Sequence, residues 1–142
     1  MARPTVCIVD TSALKYNFEQ IKKQVFGKKV LVPVKADAYG HGLCPVAAVL
    51  KDAADYFGVA SLEEGRELRE SGIKTPILCL DPLPEDSEKI AVEYDIDQAV
   101  CTPEAVLRLN KECEKQNKRA GVHIKIETGM HRTGANAGKE LE

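Results

Sequence analysis

Short apolar runs alternate with amphipathic stretches along this chain, the pattern of consecutive βα units that assemble a parallel sheet. An apolar run near Val6 to Val9 predicts a first strand. Leu14, Phe18, Ile21 and Val25 then recur on one face of a helix, which Asp10 or Thr11 can cap and Gly27 closes. Val30 to Ala36 reads as a buried strand, apolar throughout except for Lys35. Pro33 lies inside it and cannot donate to a ladder, so a bulge or an undonated position is expected there. Pro45 followed by Val46, Val49, Leu50 and Ala53 predicts a helix with proline in its first turn.

The same alternation continues to the end of the chain. Tyr56 to Ala60 is the next strand. Ser61 and Glu64 form a capping box, and Leu62 and Leu68 ride a helix that stops at Gly72. Pro76 to Leu80 is a third barrel strand, and Pro84-Glu85-Asp86 opens a helix running to about Tyr94. Asp97 to Cys101 is a fourth strand, after which Thr102 and Pro103 start a helix carrying Val106, Leu109 and Cys113. Val122 to Glu127 is a fifth. Its alternation turns Val122, Ile124 and Ile126 toward helices and His123, Lys125 and Glu127 toward a barrel interior.

This period predicts an α/β fold, an incomplete TIM (β/α)8 barrel with about five of eight βα units and parallel strands. A complete barrel takes about 250 residues, and the chain has 142. Residues 1–142 are therefore expected to be the amino-terminal part of such a barrel, with the remaining strands absent. The first and fifth barrel strands would then present unpaired edges, so marginal stability or aggregation is expected of the piece alone. No internal repeat, low-complexity tract or linker composition divides it.

Composition is that of an ordinary globular protein, 44% hydrophobic and 30% charged. The net charge of -2 comes from scattered charges of both signs, so there is no basic stripe for nucleic acid and no polybasic membrane patch. No apolar run approaches the roughly 18 residues of a membrane span, and the start does not read as a signal peptide, so a cytoplasmic location is the default. Cys7, Cys44, Cys79, Cys101 and Cys113 form an odd set without metal-ligand spacing and read as reduced thiols, mostly small buried hydrophobes. His41, His123 and His131 share no ligand spacing either, so no metal is expected. Gly40-x-Gly42 lacks the third glycine of a dinucleotide fingerprint, which sets nicotinamide chemistry aside.

The chemistry is expected at Lys35. A lysine ending an apolar strand and opening into Ala36-Asp37-Ala38-Tyr39-Gly40-His41-Gly42 is either ion-paired or used as a nucleophile toward a carbonyl. An ion pair with Asp37 or Glu127 is the competing structural reading.

Lys35 to Gly42 resembles the pyridoxal-phosphate lysine signature of alanine racemases. Lys125-Ile126-Glu127-Thr128-Gly129-Met130-His131-Arg132-Thr133-Gly134 is similar to that family's Lys-x-Asp-Thr-Gly-Met-x-Arg-x-Gly motif, with Glu127 in place of the more usual aspartate. Arg3-Pro4, Ile8-Val9-Asp10 with Ala13, Leu14 and Asn17, and Tyr56 to Gly65 extend the resemblance over essentially the whole chain.

The resemblance implies a racemase that interconverts L- and D-alanine for peptidoglycan synthesis, with pyridoxal 5'-phosphate held as a Schiff base on Lys35. Lys35 would also exchange the α-proton of the D-isomer. Tyr39 would hydrogen-bond the cofactor phosphate, and Arg132 would lie near the phenolic oxygen and help hold the substrate carboxylate. Lys125 stands where family members carry a carbamylated lysine paired with that arginine. The resemblance also implies a mostly β domain after the barrel, expected to be absent here, and the second base, a tyrosine from that carboxyl-terminal domain of the other subunit, matches no position. The chain alone is therefore expected to be inactive, and its full-length parent a homodimer. Tyr39 as a packed aromatic at the barrel mouth and Arg132 as a structural ion-pair partner are the bland alternatives. A racemase for serine, lysine or arginine, and a non-catalytic pyridoxal-phosphate carrier on a similar barrel, are the alternatives of function.

Overall fold

A computed structural model describes residues 5–136. Five strands, β1 (Leu31–Pro33), β2 (Tyr56–Val59), β3 (Ile77–Cys79), β4 (Asp97–Val100) and β5 (Val122–Ile124), form one parallel sheet in the order β1-β2-β3-β4-β5. Strand order equal to chain order distinguishes a barrel from a doubly wound sheet, where the order reverses at a switch point. Helices α3 (Leu43–Leu50), α4 (Leu62–Glu70), α5 (Glu88–Glu93) and α6 (Pro103–Gln116) connect successive strands, and α1 (Thr11–Gln24) precedes the sheet. The fold is thus α/β, five parallel strands and the four helices that connect them, part of a TIM-barrel arrangement.

Side-chain alternation divides the sheet into two faces. Val34, Phe57, Val59, Ile77, Cys79, Gln98 and Val100 are buried on the helix side with Leu50, Leu62, Leu68 and Leu109. Leu31, Gly58 and Leu80 meet on the other, interior side, where a Cβ on Gly58 would come within 2.7 Å of Leu31 and 3.1 Å of Leu80.

Side-chain caps mark the starts of α1, α4 and α6. The Asp10 carboxylate accepts from the amides of Ser12 and Ala13 at 2.8 and 3.0 Å. Thr102 caps α6 ahead of Pro103, and Asn117 ends it in the left-handed conformation. Arg69 closes the amino-terminal end of the sheet by donating to four backbone carbonyls, those of Ile73, Thr75, Tyr94 and Asp95, at 2.8 to 3.0 Å.

Several expectations need correction. Val6 to Val9 forms no strand among the described residues: Val6 and Ile8 are 77% and 88% exposed, and an apolar run without a neighbouring strand has no ladder to join. In α1, Phe18 is buried while Ile21 and Val25 stay exposed. The predicted strand over Val30 to Ala36 shortens to Leu31–Pro33, which leaves Lys35 just beyond it. Of the two outcomes expected at Pro33, a bulge does not form and the undonated position does. Val34 donates to Gly58 at 2.8 Å, so the missing donor of Pro33 faces the unpaired edge of β1. Helix α5 starts at Glu88 rather than at Pro84, because Asp86 has φ +61°. The expected strand over Val122 to Glu127 divides at Lys125, whose N–H donates to Val100 while its carbonyl accepts from Ala135. The chain then leaves the sheet as β6 (Ile126–Glu127), paired with β7 (Ala135–Asn136).

Candidate functional site

The carboxyl ends of β1 and β5 bring Lys35, Lys125 and Arg132 onto the wall of one cavity of about 340 Å³. Its remaining lining is Leu78, Leu80, Ala99, His123 and Ile124, without a carboxylate. Each residue arrives by a different route. Lys35 follows β1, Lys125 ends β5, and Arg132 is carried in by the loop between β6 and β7. The Lys125 ammonium donates to the Leu80 carbonyl at 3.1 Å. Among the described residues, the half-buried Lys35 ammonium and the Arg132 guanidinium have no hydrogen bond or ion pair. Like charges on a shared apolar wall repel, so this arrangement is built for an anion.

The ion-pair reading of Lys35 does not hold, because both candidate carboxylates are engaged elsewhere. Asp37 accepts from the Leu43 amide at 2.8 Å and so supplies the first donor of α3 with an acceptor. Glu127 accepts from the amides of His131 and Gly129, with those of Met130 and Arg132 contributing, and these bonds hold its carboxyl below the usual carboxylate range. Glu127 thereby shapes the turn that presents Arg132.

Directly after Lys35 the backbone makes a left-handed helical turn, α2 (Lys35–Gly40). Ala36, Asp37, Ala38 and Tyr39 have φ between +49° and +55°. Each L-residue in this conformation costs about 1–2 kcal/mol, so four in succession persist only where the surroundings over-determine them. Ala38 donates to Val34 at 2.8 Å, Gly42 donates to Asp37 at 2.9 Å, and the Ala36 amide donates to Glu64 at 2.7 Å. Tyr39 rides the outside of this turn, 71% exposed and off the cavity wall. It is not a packed aromatic, and the structure does not bring it together with Lys35, Lys125 and Arg132.

Other polar groups escaped the sequence reading. Tyr56 donates to Asp97 at 3.0 Å, which raises the phenol's pKa, and His123 stands 3.7 Å from the same carboxylate with its ring edge-on to Tyr56. Strand alternation was the available signal for this interior cluster. Glu64, read only as half of a capping box, accepts from Ala60 and Ala36 in place of the Ser61 amide. None of the five cysteines is paired, and burial pushes the Cys79 thiol up to about 11, far from a reactive thiolate.

Comparison with known proteins agrees with this fold. The profile of the family described as alanine racemase, N-terminal domain, matches residues 9–142. Alanine racemase 1 of Caldanaerobacter subterraneus subsp. tengcongensis is 49% identical over 135 residues, which cover 93% of this chain and 34% of that protein. The alanine racemase of Treponema denticola is 43% identical over 137 residues, 94% of this chain and 36% of its own. The solved alanine racemase of Clostridium difficile 630 superposes with a TM-score of 0.88 at 36% identity, over 92% of this chain and 35% of that one. The chain thus spans about a third of the length of the curated relatives it matches.

Proposed function

The chain belongs to the alanine racemase family, within its N-terminal domain, and from that premise we propose that the protein carrying it interconverts L- and D-alanine with pyridoxal 5'-phosphate. The observation that carries this reading is the single cavity shared by Lys35, Lys125 and Arg132 with no carboxylate on its wall. A free primary amine suits an aldehyde, and the surrounding cations suit the cofactor's anionic oxygens and a substrate carboxylate, so the donor set fits this cofactor. When bound, pyridoxal phosphate supplies the electron sink that makes an α-proton removable.

The chain's own residues then have distinct tasks. Lys35 would anchor the cofactor and would hold or return the α-proton of the D-isomer. Arg132, permanently charged, would donate toward the cofactor's phenolic oxygen and the substrate carboxylate. Tyr39 would offer its exposed phenol to the phosphate. Lys125, as a carbamate, would become an anion beside Arg132 and relieve the repulsion among three cations. Racemisation needs a base on each face of the substrate, and we assign the second to a tyrosine of a partner subunit in a homodimer. This chain would supply one portion of the barrel.

The product would serve peptidoglycan synthesis, and five unpaired thiols favour the reducing cytoplasm for the reaction. Among the described residues no helix is long and apolar enough to cross a membrane. Release of deuterium from α-deuterated alanine by the full-length protein tests the reading. Washout from both enantiomers is expected. Its absence would leave a non-catalytic carrier of the cofactor, and washout from serine, lysine or arginine but not alanine would reassign the substrate.

A further inference from the structure

Glu64 lies on α4, outside the cavity, yet its carboxylate reaches the peptide that follows Lys35. Oε1 accepts from the Ala36 amide at 2.7 Å and Oε2 from the Ala60 amide at 2.8 Å. Ala36 is the first residue of the left-handed turn, and Ala60 follows β2. One carboxylate therefore ties together the carboxyl ends of two adjacent strands. Glu64 sits in the first turn of α4, where its backbone amide donates to Ser61 at 3.2 Å, a cap separate from the two carboxylate bonds.

The chemistry of this bridge is specific. Both partners are N–H donors, so both oxygens must accept, which an ionised carboxylate does and an amide cannot. Among the described residues no cation pairs with Glu64, so its charge is spent on these two amides. Fixing the Ala36 N–H fixes the plane of the Lys35–Ala36 peptide, and with it the direction from which the Lys35 side chain leaves the backbone.

We propose that Glu64 is a positioning residue for Lys35, holding the strained turn in the one orientation that aims the amine into the cavity. This rests on the reading of Lys35 as the cofactor lysine.

The test compares wild type, Glu64→Gln and Ser61→Ala in the full-length protein. Ser61→Ala weakens the same helix without touching either bridge. The first readout is the rate at which pyridoxal phosphate and borohydride label the Lys35 peptide, and the second is the midpoint of thermal unfolding. Glu64→Gln should label roughly ten- to a hundredfold more slowly, the scale of a misplaced reacting group. Ser61→Ala should label at the wild-type rate despite a lowered unfolding midpoint. Equal labelling rates in Glu64→Gln and wild type would overturn the proposal. Failure of wild type to label at Lys35 would instead overturn the reading beneath it. If Glu64→Gln does not fold, hydrogen exchange of wild type decides. A protected Ala36 amide supports the bridge, and an Ala36 amide exchanging at the unprotected rate removes it.

Discussion

Lys125 extends from the end of β5 to donate to the Leu80 carbonyl at 3.1 Å, and this places a second ammonium on the cavity wall that also holds Lys35. Two amines and a guanidinium without an opposing carboxylate are electrostatically incomplete, which is the physical argument for the proposed carbamylation of Lys125. Loss of one charge-assisted contact is worth about 1.5–3 kcal/mol, so Lys125→Met should lower the racemisation rate of the full-length protein roughly ten- to a hundredfold. Wild type prepared free of carbon dioxide should lose activity and regain it with bicarbonate. Steady-state rates insensitive to both treatments would remove Lys125 from the account.

The left-handed turn can be tested at its first residue. Ala36 has φ +52° and carries a Cβ that glycine lacks. Relief of the left-handed penalty, less the entropy glycine loses on folding, should make Ala36→Gly more stable by about 0.5–1 kcal/mol. Urea unfolding measures this directly, and a clear destabilisation would mean that the turn is not left-handed in solution.

Arg69 gathers the carbonyls of Ile73, Thr75, Tyr94 and Asp95, none of which a lysine could satisfy together. Arg69→Ala leaves those half-buried acceptors without their donor and should cost about 3 kcal/mol or more, with Arg69→Lys recovering less than half. A chemical unfolding curve near that of wild type for either variant would show that water replaces the guanidinium without penalty.

The turn carrying Arg132 should depend on pH through Glu127. Its carboxyl is held below the ordinary value of 4.5 by the amides of His131 and Gly129. A carboxyl depressed in the folded state contributes above its unfolded value and loses that contribution as pH falls through the folded value. Protection of the amides at positions 129 and 131 should therefore be complete at neutral pH and fade below about pH 4.5. In Glu127→Gln the protection should be weak at every pH. Wild-type protection that persists into strong acid would contradict the role given to Glu127.

Much of this fold could be read before any coordinates. The periodicity around Leu62 and Leu68, the Ser61 and Thr102 caps and the apolar runs at β2 to β4 each state their element locally. The positions of Lys35, Lys125 and Arg132 followed from two motifs at strand ends, and the structure adds that all three meet on one cavity. What escaped depends on tertiary context. Ala36-Asp37-Ala38-Tyr39 contains no glycine, so no local rule announces four positive φ angles. Glu64 looked like an ordinary capping residue because its real partner, the Ala36 amide, comes from a distant part of the chain. The run from Val6 to Val9 has strand composition and no strand beside it among the described residues.

Reduction of the full-length protein with borohydride in the presence of pyridoxal phosphate, followed by peptide mass mapping, addresses the claim on which the rest stands. The account predicts a phosphopyridoxyl group on the peptide containing Lys35 in wild type and none at that position in Lys35→Ala. Label confined to other lysines, or equal labelling of both proteins, would contradict it.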